Sequence, residues 1–268
     1  MKFTETGGNR FHLQPSAFSL QLLLWLTVAA CAWLFAQASV WASGPSGVRV
    51  WLPESVTTTA PVIDQLFYLV LAITGTVFVL VEATLLVFLV KYRRRPGHQA
   101  GYIHGNNLVE IIWTVIPALI LIVLTMHSQR VWARIRGTPP PPDLEIEITA
   151  EQFAWNIRYA GADGVFNTAD DVTTINQLHL PVHQTILIHL KSKDVIHSFF
   201  VPQFRMKLDA VPGITGRLWL SATKTGDFEI ACAELCGLGH YRMRGFLTIE
   251  SPEAFHDWLA KTQAEQQT

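Results

Sequence analysis

Charge is scarce in this chain: only 15% of its 268 residues are Asp, Glu, Lys or Arg, against roughly a quarter in an ordinary soluble domain. Part of the chain is therefore expected to avoid water. No sign of charge is in excess either, since 20 Lys and Arg face 21 Asp and Glu for a net charge of −1. Without a basic surplus there is no electrostatic footprint for nucleic acid, and no such partner is expected. Cysteine is sparse, at three residues, too few and too unevenly spaced for a disulfide framework. No C-x-x-C-H run occurs, so no c-type haem attaches to this sequence. What the chain has in quantity is apolar side chains, 50% of the total, in a length that suits one or two domains.

The apolar excess is uneven. Residues 1–133 carry eight basic and five acidic side chains, whereas residues 134–268 carry twelve and sixteen. The front is membrane-like and the back soluble. Three apolar stretches lie in the front half. The first, Ala17–Ala42, follows Lys2 and Arg10 and ends in Val40-Trp41-Ala42-Ser43, which reads as a cleaved export signal over residues 1–43; the alternative is a further membrane segment. Cys31 lies within it as a bystander. The second, from Val62 to Val81 and resuming over Ala83–Val90, and the third, Leu108–Met126 with Pro117 inside it, are each long enough to span a bilayer. Together they predict a two-helix transmembrane hairpin over residues 60–130. The joining loop holds Lys91, Arg93, Arg94 and Arg95, and short basic loops stay in the cytoplasm, which puts everything after Gln129 outside. Arg130, Arg134 and Arg136 oppose that bias, so the exported domain has to be argued from its chemistry. An export signal points to a bacterial inner membrane, crossed more than once, with the back half on the periplasmic or outer side.

After the Pro139–Pro142 breaker the pattern turns to alternation, as in Leu144-Glu-Ile146-Glu-Ile148, the period of a strand. Further strands are expected at 153–159, 184–191, 197–201, 217–222, 227–231 and 245–249. So many short strands predict a β sandwich or barrel over residues 143–250. Ser251-Pro252-Glu253 then opens a capped amphipathic helix in residues 251–268. The insert from Gly161 to Asp171 has oxygen side chains around a glycine but lacks calcium-loop spacing and the terminal Glu; it reads as a solvated hairpin turn.

The loop after the 227–231 strand runs Cys232-Ala-Glu234-Leu-Cys236-Gly-Leu-Gly-His240-Tyr-Arg-Met243. Two thiols, an imidazole and a thioether in one turn suit copper, and His197, on a distant strand, is the natural further ligand. A single-copper site needs one Cys; two thiolates bridging two coppers would use every group present. Blander readings exist for each residue: a Cys232–Cys236 disulfide, a core role for His197, packing for Met243. Zinc fits less well, because structural zinc favours C-x2-C pairs and seldom takes a thioether.

The loop resembles the copper A loop of cytochrome c oxidase subunit II, whose pattern C-x-E-x-C-G-x3-H-x2-M is matched by Cys232, Glu234, Cys236, Gly237, His240 and Met243. The run Asp194-Val-Ile-His197-Ser198 with Val201-Pro202, Lys207, Asp209 and Ala210-Val-Pro212-Gly213 looks like the family's upstream-His segment. Glu110-Ile-Ile-Trp113-Thr114-Val-Ile-Pro117 is similar to its second-helix signature. The resemblance implies a cupredoxin-like Greek-key domain after the helical hairpin. It implies that Cys232 and Cys236 bridge two copper ions, with His197 and Met243 on one and His240 and the Glu234 carbonyl on the other. The Glu234 carboxylate would help hold magnesium shared with subunit I, a hard cation that suits oxygen. Glu110 corresponds to a carboxylate at the mouth of a proton pathway, whereas Asp64 and Glu82 have no assignable role. The family's Q-W-Y-W cluster stands here as Gln152-Phe153-Ala154-Trp155, so either Phe153 or Trp155 could receive the electron, or both are core aromatics.

The expected function is therefore that of a copper A subunit of a haem-copper oxidase, an electron-transfer part of cytochrome c oxidase. It would take electrons from cytochrome c and pass them to haems in subunit I, where oxygen is reduced and protons are pumped. Its partners would be subunit I, the other oxidase subunits, cytochrome c and membrane lipid, with haem only in the partner. A copper A subunit of a nitric oxide reductase is one alternative. A membrane-tethered copper carrier or thiol oxidoreductase is another.

Overall fold

A computed structural model describes residues 51–99, 101–102 and 104–267. The expected export signal and Cys31 lie outside the described residues. Two compact units are formed, one including residues 71–102 and the other residues 53–70 and 103–268.

Both expected membrane segments are helices: α1 spans Ala60–Lys91 and α2 spans Asn107–Arg136. Each is long and apolar enough to cross a membrane, and neither apolar stretch is buried within the chain. Surface of that kind demands lipid or a protein partner. Asn106 caps α2, its side chain accepting from the N–H groups of Leu108 and Val109 at 3.0 and 3.3 Å, which satisfies donors that a helix start leaves unpaired. Beyond Met126, where the apolar run stops, α2 continues to Arg136 as a polar helix whose Val131 is buried.

The back half is a sandwich of two five-stranded sheets. The strands are β1 Leu144–Glu151, β2 Ala154–Tyr159, β3 Val172–Ile175, β4 Gln177–Pro181 and β5 Thr185–Ser192, followed by β6 His197–Val201, β7 Met206–Ala210, β8 Gly216–Ser221, β9 Gly226–Cys232 and β10 Arg244–Glu250. One sheet has the order β3-β2-β1-β5-β8 and the other β4-β10-β9-β6-β7. β1 runs parallel to β5 and β10 parallel to β4, while the remaining neighbours are antiparallel. Ile146, Ile148 and Ala150 of β1 are fully buried between the sheets, whereas Glu147 lies on the other face, where it is buried in ion pairs with Lys191 and Arg158. Two apolar helices thus precede an all-β, cupredoxin-like sandwich.

Three strands, β3, β4 and β7, go beyond the sequence reading. Asn176 explains the first two. It separates β3 from β4 in the left-handed conformation (φ 59°), which Asn tolerates better than other side-chain-bearing residues, and so the chain passes from one sheet to the other within a single residue. The insert joins β2 to its antiparallel neighbour β3. Its carboxylates serve the hairpin itself: Asp170 accepts from the Thr168 hydroxyl at 2.7 Å, and Asp171 accepts from the Asn167 N–H at 2.7 Å and from Arg158 at 3.1 Å. After β10 comes α3, Pro252–Gln266, capped by the Ser251 hydroxyl accepting from the Ala254 N–H at 3.2 Å. It sits on the sandwich through buried Phe255 and through Trp258, which stacks on His179 at 3.9 Å between ring centroids.

Candidate metal centre

Hydrogen bonding across the second sheet places the ligand residues. β9 ends at Cys232, and β10 begins just after Met243; the Cys232 N–H donates to the Met243 carbonyl at 3.2 Å and closes the loop at its base. β6 lies on the other side of β9, pairing Phe199 with Cys232, so His197 reaches the same loop. A short 3-10 turn, His240–Arg242, brings the second imidazole back toward the thiols.

All six residues expected to bind copper converge. The Cys232 and Cys236 sulfurs are 3.8 Å apart. His197 Nδ1 is 3.9 Å from Cys232 Sγ, and His240 Nδ1 is 3.6 Å from Cys236 Sγ. Met243 Sδ is 3.6 Å from Cys236 Sγ, and the Glu234 carbonyl is 3.2 Å from Cys232 Sγ. His197, Cys236 and Met243 are buried, whereas the Glu234 side chain is exposed. Both cysteines are free thiols. Burial, and then the neighbouring Cys232 thiol, pushes the Cys236 thiol up to about 11. Without a metal the Cys236 sulfur therefore keeps its proton, which a metal has to displace.

Two residues that the sequence offers only as parts of motifs, Asp194 and Gln152, take supporting roles. Asp194 accepts from His197 Nε2 at 2.8 Å, which fixes the tautomer with Nδ1 free to coordinate. Burial pushes the Asp194 carboxyl up, but bonds from His197 and from the N–H groups of Gln152 and Val195 outweigh it and hold the group below the usual carboxylate range. The Gln152 side chain donates to the Cys236 carbonyl. A carboxylate three residues before a candidate His was the available signal for Asp194; Gln152 heads the aromatic cluster, but nothing in the sequence joins it to the Cys236 loop.

The aromatic candidates flank this centre. Phe153 is half-buried beneath the loop, so close that a Cβ on Gly239 would fall 2.5 Å from its ring. Trp155 is fully buried, with its ring edge-on to His197 at 6.3 Å and to Phe199 at 5.7 Å. Glu110 stands apart on the exposed first turn of α2, roughly 39 Å along the helix from Arg136 at 1.5 Å per residue. Asp64, left without a role by its sequence position, forms a two-pronged ion pair with Arg205, the closer contact at 2.7 Å. Glu82 is exposed on α1.

As donors, two soft sulfurs that can bridge, one imidazole beside each, a thioether and a carbonyl fit copper in preference to zinc, calcium or magnesium. Among the described residues, His197, Cys232 and Cys236 are the group whose ligand atoms all lie within 4.8 Å of one another.

Known proteins resemble this chain over most of its length. The family model for the periplasmic domain of cytochrome c oxidase subunit II matches residues 151–250, and that for the transmembrane domain of the same subunit matches residues 45–131. Cytochrome c oxidase subunit 2 of Thermostichus vulcanus is 30% identical over 267 residues, covering 80% of this chain and 79% of that protein. The alternative cytochrome c oxidase subunit 2 of Bradyrhizobium diazoefficiens is 32% identical over 231 residues, covering 78% and 82%. The solved periplasmic domain of subunit II of cytochrome oxidase from Bradyrhizobium japonicum is 27% identical with a TM-score of 0.43, covering 48% of this chain and 99% of that one.

Proposed function

The chain belongs to the cytochrome c oxidase subunit II family, and from that premise we propose that it is the electron-accepting subunit of a respiratory oxidase. In this reading a binuclear copper A centre is held by Cys232, Cys236, His197, His240, Met243 and the Glu234 carbonyl. The observation that carries the reading is the convergence of both thiols with one imidazole nitrogen beside each.

When bound, the copper pair would supply a one-electron relay whose charge is shared over two metals. The residues supply the rest. Cys232 and Cys236 would lose their protons and hold the metal; Asp194 keeps His197 in the coordinating tautomer; Gln152 and the closed loop base hold the ligands in place, so little rearrangement would accompany a change of charge. Burial of His197, Cys236 and Met243 keeps water from the centre. Phe153, half-buried beneath the loop, is the aromatic on the route by which the electron arrives, and Trp155 backs His197.

The donor in this reading is cytochrome c, for which the twelve basic against sixteen acidic residues of the back half supply a modest attraction. The acceptors are the haems of subunit I, where oxygen is reduced and protons are pumped. The exposed Glu234 carboxylate would help hold a magnesium ion shared with subunit I, and Glu110 would stand at the cytoplasmic mouth of a proton path. The membrane is the bacterial inner membrane, with the copper domain on the periplasmic side. The names carried by the relatives favour an oxidase over a nitric oxide reductase, and the clustered nitrogen, thioether and carbonyl donors favour a held centre over a carrier or a cycling dithiol.

The test is electron transfer in the assembled complex. With reduced cytochrome c as donor, a Cys236→Ser complex should keep its haems and lose nearly all oxygen uptake. An unchanged rate would overturn the proposal.

A further inference from the structure

Two adjoining cavities open where the last turns of α2 meet β7 and β8, all within one compact unit. One, of about 330 Å³, is lined by Ile63, Leu66, Val131 and Trp132 among others. The second, of about 510 Å³, includes Pro139, Leu187 and Trp219. Ile135, Arg136 and Leu218 belong to both, so the pair forms one groove in the size range of ligand sites.

The groove is mostly apolar in its first cavity, mixed in its second, and cationic at its rim. Arg136, Lys207 and Arg217 border it, and none of the three has a carboxylate partner among the described residues. Arg205 differs, being taken up by Asp64 and by the carbonyls of Pro53 and Pro202. The indole N–H of Trp219 is buried with no hydrogen-bond partner, a state that costs free energy until an acceptor arrives. Greasy walls, unpaired cations and an unused donor match an amphiphile with an anionic head.

Depth points the same way. The apolar run of α2 ends at Met126, and Trp132 lies roughly 9 Å further along the helix. Side chains on a helix lean toward its N-terminus, and the Arg136 guanidinium folds back to lie 5.7 Å from the Trp132 ring centre. The charge therefore stands near the headgroup layer, where tryptophan and arginine anchor membrane proteins.

We propose that this groove holds one anionic phospholipid. Its phosphate lies against Arg136 and Arg217 with Lys207 beside it, its ester region accepts from the Trp219 indole, and an acyl chain runs along Ile63, Val131 and Ile135 toward the bilayer. Unpaired cations select an anionic lipid over a zwitterionic one. The inference rests on the helices spanning a membrane and is independent of the copper assignment.

Native mass spectrometry of the detergent-purified oxidase complex, titrated separately with phosphatidylglycerol and phosphatidylcholine, tests it. The complex should retain one phosphatidylglycerol preferentially. An Arg136→Gln/Arg217→Gln double variant should lose that preference by roughly thirty-fold, while Arg136→Lys/Arg217→Lys keeps most of it, with copper content unchanged in both. Equal retention of the two lipids would overturn the proposal. So would full phosphatidylglycerol retention in the Gln variant, or a crosslink from Trp132 to another subunit with no lipid bound, which would make the groove a subunit contact.

Discussion

His197 is held from behind. Asp194 accepts its Nε2 proton at 2.8 Å, leaving Nδ1 toward the thiols, and such outer partners typically govern metal affinity by 10–100-fold. An Asp194→Ala variant should weaken copper binding by about that factor in a chelator competition, and Asp194→Asn, which keeps an acceptor, by less. Equal affinity in all three proteins would mean that packing alone orients the ring. Gly239 makes a second residue-scale case. Its absent Cβ is what lets the loop lie on Phe153, so Gly239→Ala should cost about 1–3 kcal/mol of stability through overpacking, read from thermal unfolding. The convergence of the proposed ligands was legible because five of them fall in one loop with chemically telling spacing. Asp194 and Gln152 were harder to see, since a supporting hydrogen bond exists only once β6 and the β1–β2 corner meet the loop.

Among the elements, alternation located the strands that bury one face, and the polar–apolar switch at Met126 located the end of the apolar span. β3 and β4 were obscured because a single left-handed Asn176 splits them, a backbone event with no hydrophobic signature. β7 was obscured because its outward residues, Lys207 and Asp209, sit in a run that reads equally as loop. The hairpin insert yields a pH prediction. The Thr168 hydroxyl, and after it the opposing effect of burial and the Asp163 N–H, leave the Asp170 carboxyl below its ordinary 3.8. A lowered folded value means that the stabilisation is complete above the unfolded pKa and is lost as pH falls through the folded one. Protection of the Asp163 amide, taken relative to its intrinsic exchange rate, should thus hold at neutral pH and fall only below about pH 4. Loss of protection between pH 5 and 7 would show that another group orders the insert.

For the molecule as a whole, the near-zero net charge averages a sparsely charged, net basic front with an acidic back, and the order of apolar helices followed by a β-rich domain could be read from that split. What could not be read is how the parts join. Residues 53–64 are tied to the sandwich by a bridge between Thr57 and Ala222 and by the largely buried Arg205–Asp64 pair, contacts between positions far apart in sequence. Removing one partner strands the other charge, so Asp64→Asn should lower the unfolding free energy of the sandwich by on the order of 2–3 kcal/mol, less than for a fully buried pair. An unaltered denaturant midpoint would assign the tie to the backbone bridge alone.

The central claim is a two-copper centre built from Cys232, Cys236, His197, His240, Met243 and the Glu234 carbonyl. Paramagnetic resonance of the copper-loaded protein, combined with metal analysis, tests it most directly. The expected result is two coppers per chain and one unpaired electron shared equally between them; a single-copper spectrum, or a metal-free protein with Cys232 and Cys236 joined as a disulfide, would contradict it.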